Sequence, residues 1–151
     1  MNWKAFLNLL VTYEGLKTSA YKDSVGIYTI GIGTIKYPNG TPVKKGDKCT
    51  EAQAYEYAEH EAKIKLEAIK KMLKVEQTDN QLMALLSLAY NIGEGGLRTS
   101  TLLKSINEGK DIATIEENWL RWNKGTVNGK KVELKGLTVR RKSELKLYKT
   151  A

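Results

Sequence analysis

Cysteine is all but missing from this chain. Cys49 stands alone among 151 residues, so no intramolecular disulfide forms and a reducing compartment is the simplest setting. Histidine is as scarce, with only His60, which lies in a charged stretch and is expected to be exposed. A Cys–His nucleophile or a zinc centre therefore lacks parts, and neither a metal nor a cofactor is expected. Both prolines, Pro38 and Pro42, fall in one short segment. No apolar run is long enough to cross a membrane. The N-terminal apolar patch is short and interrupted by Lys4 and Asn8, so it is not read as a signal peptide. Repeats, low-complexity tracts and linkers are missing too. The length suits one domain, or two small lobes sharing a helix.

Positive charge is plentiful. Lys and Arg number 25 against 17 Asp and Glu, a formal net charge of +8. Such a field favours polyanionic partners. Nucleic acid is not expected among them, because no dense basic run is interleaved with aromatics. Hydrophobic residues make up 41%, enough for a real core.

Chemistry concentrates between Tyr13 and Thr34, YEGLKTSAYKDSVGIYTIGIGT. Eight residues separate Glu14 from Asp23, and five separate Asp23 from Thr29. Before them, Trp3, Phe6, Leu7, Leu10 and Val11 recur every three or four residues, as one face of a helix does. Gly15 suits a helix end, which leaves Glu14 at the negative pole of the helix dipole, where its ionised form is disfavoured. Helices usually carry cations there, and such a broken rule tends to mark a functional site. Asp23 falls in a turn-like KDSVG, where it stays solvated and ionised. The run Gly26 to Thr34 reads as a strand, with Tyr28, Ile30 and Ile32 on a core face and Thr29, Gly31 and Gly33 on the other. The glycine face has little bulk, leaving room for a flat sugar ring. Two carboxylates in unlike surroundings are what glycosidic cleavage needs: an acid for the leaving oxygen, and a second group to activate water or attack the sugar.

The E-x8-D-x5-T arrangement of Glu14, Asp23 and Thr29, with YEGLK, AYKD and YTIGIG around it, resembles the phage-type lysozymes, the endolysins of glycoside hydrolase family 24. The resemblance implies metal-free cleavage of the β-1,4 link between N-acetylmuramic acid and N-acetylglucosamine in peptidoglycan, with inversion. By the same resemblance Glu14 is the general acid, and Asp23 with Thr29 positions and activates water. Many members carry His after GIG, where this chain has Thr34; the departure bears on a local contact more than on catalysis. The resemblance also implies a wait in the host cytoplasm and release to the wall through a separate membrane pore; the positive charge makes an anionic wall surface the expected partner, and a monomer is expected.

Farther along, Tyr37 to Lys48 holds both prolines and Asn39-Gly40, a turn or hairpin that with Ile27 to Ile35 suggests a small antiparallel sheet. Ile35 is placed either at the rim of a cleft against sugar or within the hairpin packing. Thr50-Glu51-Ala52-Gln53 is a capping box opening a helix through Leu73, with Tyr55, Ala58, Ala62, Leu66, Ile69 and Leu73 as its stripe. A second box, Thr78 to Gln81, opens an all-round apolar helix to Asn91, stopped by IGEGG. LAYNIGEGG resembles the family's central helix. Tyr90 and Asn91 are candidates for substrate contact, or for packing and capping. Thr101 is a candidate cleft residue or a helix cap. Trp119 and Trp122, on a helix spanning 111–123, are expected in the core, with sugar stacking as the alternative. Asn128-Gly129 between short β-prone runs signals a hairpin over 126–134. The final helix carries the family's GL-x-x-RR-x-x-E as Gly136, Leu137, Arg140, Arg141 and Glu144. Arg140, more than Arg141, is the candidate to reach back and orient Glu14; the alternative leaves both arginines solvated.

The expected fold is α+β and mostly helical, lysozyme-like. A small sheet lobe spans about 14–50, a connecting helix about 51–73, and a helical lobe about 74–151 together with the N-terminal helix 3–13. Three rivals remain distinguishable. A lytic transglycosylase would leave anhydro-sugar ends and needs only one acid/base residue. A non-catalytic wall-binding module would bind without turnover. A basic nucleic-acid binder would show salt-sensitive DNA affinity.

Overall fold

The computed structural model describes residues 1–150. Its chain divides into two compact units, residues 1–64 and 65–151. As expected, the architecture is mostly helical with small two-stranded sheets.

The first unit opens with α1, Trp3–Glu14, which buries Phe6, Leu7 and Leu10. Asn2 caps its start by accepting from the Ala5 N–H at 3.0 Å. Gly15, at φ 74°, ends it, a left-handed backbone that glycine adopts without strain. This helix falls in the first unit. Strand β1, Lys17–Lys22, pairs antiparallel with β2, Tyr28–Gly31, setting Tyr21 opposite Thr29 and Lys22 opposite Tyr28. The sequence reading did not assign β1, because KTSAYK shows little apolar alternation; pairing with β2 makes it a strand.

Strand β2 is shorter than expected. The alternation stops at Gly31, and Ile30 and Thr34 exchange backbone hydrogen bonds across a tight turn (2.8 and 2.9 Å). Thr29, Ile30, Gly31 and Ile32 are therefore all buried. The glycine face is not an open floor for a sugar. A Cβ at Gly31 would meet the Ala54 Cβ at 3.1 Å, and one at Gly33 would meet Glu14 Oε1 at 3.0 Å. These glycines make room for a helix and for the acid.

The segment 36–48 forms single bridges, Lys36 to Pro42 and Ser19 to Lys48, rather than a full hairpin. Helix α2, Glu51–Met72, has 22 residues, about 33 Å at 1.5 Å per residue. Thr50 and Gln53 form its capping box, with bonds of 2.9 and 3.0 Å. The boundary between the two units falls within it. Its buried stripe is Ala54, Ala58, Ala62, Leu66 and Ile69, and Tyr55 and Leu73 are half-buried at its margins.

In the second unit α3, Asp79–Ile92, buries every residue from Met83 to Ala89. Each of Leu85, Leu86 and Leu88 contributes about 1.5–3 kcal/mol. Gly93, at φ 88°, stops α3 and at once starts a helix the sequence reading missed, α4, Glu94–Arg98. Two glycines argue against a helix there, but the burial of Leu97 holds it. Ser100, not Thr101, caps α5, Thr101–Asn107. Asp111 caps α6, Ile112–Leu120, which ends three residues before the expected span does. Strands β3, Lys124–Val127, and β4, Lys130–Glu133, form the expected hairpin around Asn128 (φ 51°) and Gly129 (φ 78°). Helix α7, Lys135–Tyr148, packs on α3 and α6 and closes the unit.

Candidate active site

The end of α1 and the β1–β2 turn lie together in the first unit. Glu14 is half-buried, and its side chain lies over the Gly33 backbone in the space a Cβ would fill. Asp23 is fixed by its own turn. Its Oδ1 accepts the N–H groups of Val25 and Ile27, both at 2.9 Å, and Oδ2 accepts from none of the described residues. The Ile27 carbonyl then accepts twice, from the Asp23 N–H at 2.9 Å and from Thr29 Oγ1 at 3.1 Å. One carbonyl thus draws the Thr29 hydroxyl and the Asp23 backbone to the same place. Because the Thr29 proton is spent on that carbonyl, its oxygen is left as an acceptor. An anchored carboxylate and a hydroxyl oxygen tied to the same turn are both acceptors for the protons of a water. Ile35, 46% exposed, follows just after the turn.

The second unit holds the other candidates. Arg140 and Arg141 are buried, not solvated, 5% and 0% exposed. Both meet the fully buried Glu144: Arg141 Nε lies 2.7 Å from Oε1 and Arg140 Nε 3.3 Å from Oε2. Ser87 Oγ and Trp119 Nε1 also donate to Glu144, at 2.6 and 3.1 Å. Asn91 is exposed and accepts from Arg141 Nη1 at 2.9 Å, which leaves its amide protons to donate. Tyr90 is half-buried. Thr101 is exposed and lines a pocket of about 270 Å³ with Asn118, Arg121, Trp122, Lys124 and Lys131. Trp119 is core as expected, but Trp122 is only half-buried and faces this pocket.

A family model described as phage lysozyme matches residues 11–144. The chain belongs to the phage lysozyme family. It is 36% identical over 145 residues to the endolysin of Acyrthosiphon pisum secondary endosymbiont phage 1, covering 96% of this chain and 95% of that one. Among solved structures, the endolysin from Escherichia coli O157:H7 phage FAHEc1 superposes with a TM-score of 0.88 at 41% identity, over 96% of this chain and 90% of that one. The muramidase domain of SpmX from Asticaccaulis excentricus superposes with a TM-score of 0.86 at 27% identity, over 98% and 97%. The chain spans about half the length of two Bacillus phage endolysins it also matches, 53% and 54%. As a phage lysozyme it is a glycoside hydrolase of cell-wall lysis, with peptidoglycan as substrate.

The sequence reading of this lysozyme missed Asn118. The residue is 7% exposed, lines the Thr101 pocket, and its amide makes no hydrogen bond among the described residues. That amide is open to the pocket, where it can hydrogen-bond a ligand. Its only signal in sequence is a polar residue beside Trp119, on the inward face of α6. Partial burial pushes the Cys49 thiol above its ordinary range, which disfavours its thiolate. Among the described residues no three His, Cys, Asp or Glu side chains gather to hold a metal. No described helix is long and apolar enough to cross a membrane.

Proposed function

We propose that this phage lysozyme hydrolyses the β-1,4 bond between N-acetylmuramic acid and N-acetylglucosamine with inversion. Glu14 protonates the leaving oxygen. Asp23 takes a proton from a water held with Thr29, and that water attacks the anomeric carbon from the opposite face. The observation that carries this reading is the Ile27 carbonyl shared by the Asp23 N–H and Thr29 Oγ1. It ties Thr29 to the turn that carries Asp23, which supports a shared water rather than a covalent sugar. Thr101, Asn118, Tyr90, Asn91 and Ile35 are proposed to contact the glycan, and Arg140 to orient Glu14. A connecting role for α2 between a sheet-bearing and a helical lobe belongs to the same reading. So do monomeric action, attraction to the anionic wall, and a wait in the host cytoplasm before release.

Purified peptidoglycan is the test substrate, with turbidity, reducing ends, anhydro-sugars and the anomer first released all measured. Wild type is expected to clear it with new reducing ends of inverted configuration. Glu14→Gln is expected to lose about 10²- to 10⁴-fold in rate, as removal of a general acid does. Arg140→Gln is expected to lower kcat. Retained configuration would overturn the water mechanism, and anhydro ends would make the enzyme a transglycosylase.

A further inference from the structure

The water mechanism leaves one requirement unmet, and the structure supplies a residue for it. Asp23 is acceptor-only, and the Thr29 proton already goes to the Ile27 carbonyl. A water between them donates both its protons. Its oxygen has two lone pairs, one for attack on the sugar and one in need of a donor. Without that donor the water is free to rotate about its two bonds, and its attacking lone pair is not aimed.

Tyr21 stands in β1 directly opposite Thr29 in β2. Side chains of directly opposite residues share a face, with Cβ atoms about 4.5–5.5 Å apart. The phenol is longer than the threonine side chain, so its hydroxyl reaches beyond the Thr29 oxygen on that face. Tyr21 is half-buried, and its hydroxyl makes no hydrogen bond among the described residues. We infer that Tyr21 is a water-positioning residue of this lysozyme, its phenol O–H donating to the nucleophilic water held by Asp23 and Thr29. Burial, and then the negative charges of Glu14 and Asp23, push the Tyr21 hydroxyl above its ordinary range. The group therefore stays protonated as a donor at every working pH, and it feels both carboxylates at once. In the step itself the water oxygen bonds to the anomeric carbon as the glycosidic bond breaks. One water proton passes to Asp23 Oδ2, and the leaving oxygen takes the proton from Glu14. Tyr21 keeps its own proton throughout.

The inference rests on the water mechanism proposed above, so its test separates the two. Steady-state kinetics on soluble peptidoglycan fragments are measured for wild type, Tyr21→Phe, Asp23→Asn and the double variant, with thermal midpoints alongside. Tyr21→Phe is expected to lower kcat about tenfold, the worth of a single aimed hydrogen bond in a dry site. KM should stay within about twofold and the thermal midpoint within a few degrees. In the Asp23→Asn background, where no base activates the water, Tyr21→Phe is expected to add almost nothing. Unchanged kcat in Tyr21→Phe, a loss confined to KM, or full additivity with Asp23→Asn would each overturn the role. A fully active Asp23→Asn would instead overturn the water mechanism, whatever Tyr21→Phe does.

Discussion

At the scale of single residues, the site carries a cost that function does not explain. Thr34 is 1% exposed, and its Oγ1 has no hydrogen-bond partner among the described residues. A buried unsatisfied hydroxyl costs on the order of 1–3 kcal/mol. Its backbone is already committed to Ile30, so the side chain adds nothing to the turn. Thr34→Val keeps the shape and removes the orphan. It is expected to raise stability by about 1 kcal/mol, read as a melting midpoint about 2–4 °C higher. Peptidoglycan hydrolysis should be unchanged, because Thr34 lies after the turn that seats Glu14. Glu144 shows the opposite case. It is as deeply buried as Thr34, but Ser87, Trp119, Arg140 and Arg141 all meet it, so its charge is answered on every side.

At the scale of elements, the loop from Tyr37 to Asp47 has no strand ladder, only isolated backbone bonds and one carboxylate that joins its two ends. Asp47 Oδ2 accepts from the Tyr37 hydroxyl at 2.7 Å and from the Lys44 N–H at 2.9 Å. Those bonds favour the ionised form and hold Asp47 below its usual range. The Tyr37 hydroxyl is pushed well above its own range, first by burial and then by that bond. The sign follows from linkage. A carboxylate lowered on folding stabilises above the unfolded value of about 3.9, and that contribution is lost as pH falls through the lower folded value. The Lys44 amide resonance is therefore expected to titrate below the ordinary aspartate midpoint, with the loop loosening alongside it. Asp47→Asn should abolish that titration. A midpoint at or above the ordinary value would count against this account.

At the scale of the whole molecule, the charge of +8 acts at a distance. The anionic wall proposed as partner would feel that field, and salt shortens its reach from about 30 Å at 0.01 M to about 8 Å at 0.15 M. Clearing of intact walls is expected to slow several-fold across that range. Hydrolysis of short neutral glycan fragments should change little. Equal salt sensitivity on both substrates would place the effect in the site instead of the field.

Much of this was legible in the sequence, and the reason differs from element to element. Local signals determined α1 and its end at Glu14, both capping boxes, the all-round apolar α3 and the Asn128-Gly129 hairpin. Each rests on contacts within a few residues, which a sequence displays directly. The spacing of Glu14, Asp23 and Thr29 was equally plain. Tertiary structure alone decided what those residues touch. It filled the glycine face with Ala54 and the Glu14 carboxylate, where alternation had promised an open floor. It made a strand of KTSAYK by pairing it with β2, and a helix of EGGLR by burying Leu97. It drew Arg140 and Arg141 out of solvent against Ser87 and Asn91 of α3, and it set Asn118 in one pocket with Thr101. In all these cases the partner lies far along the chain or on another element, and no local period encodes where a distant side chain will stand.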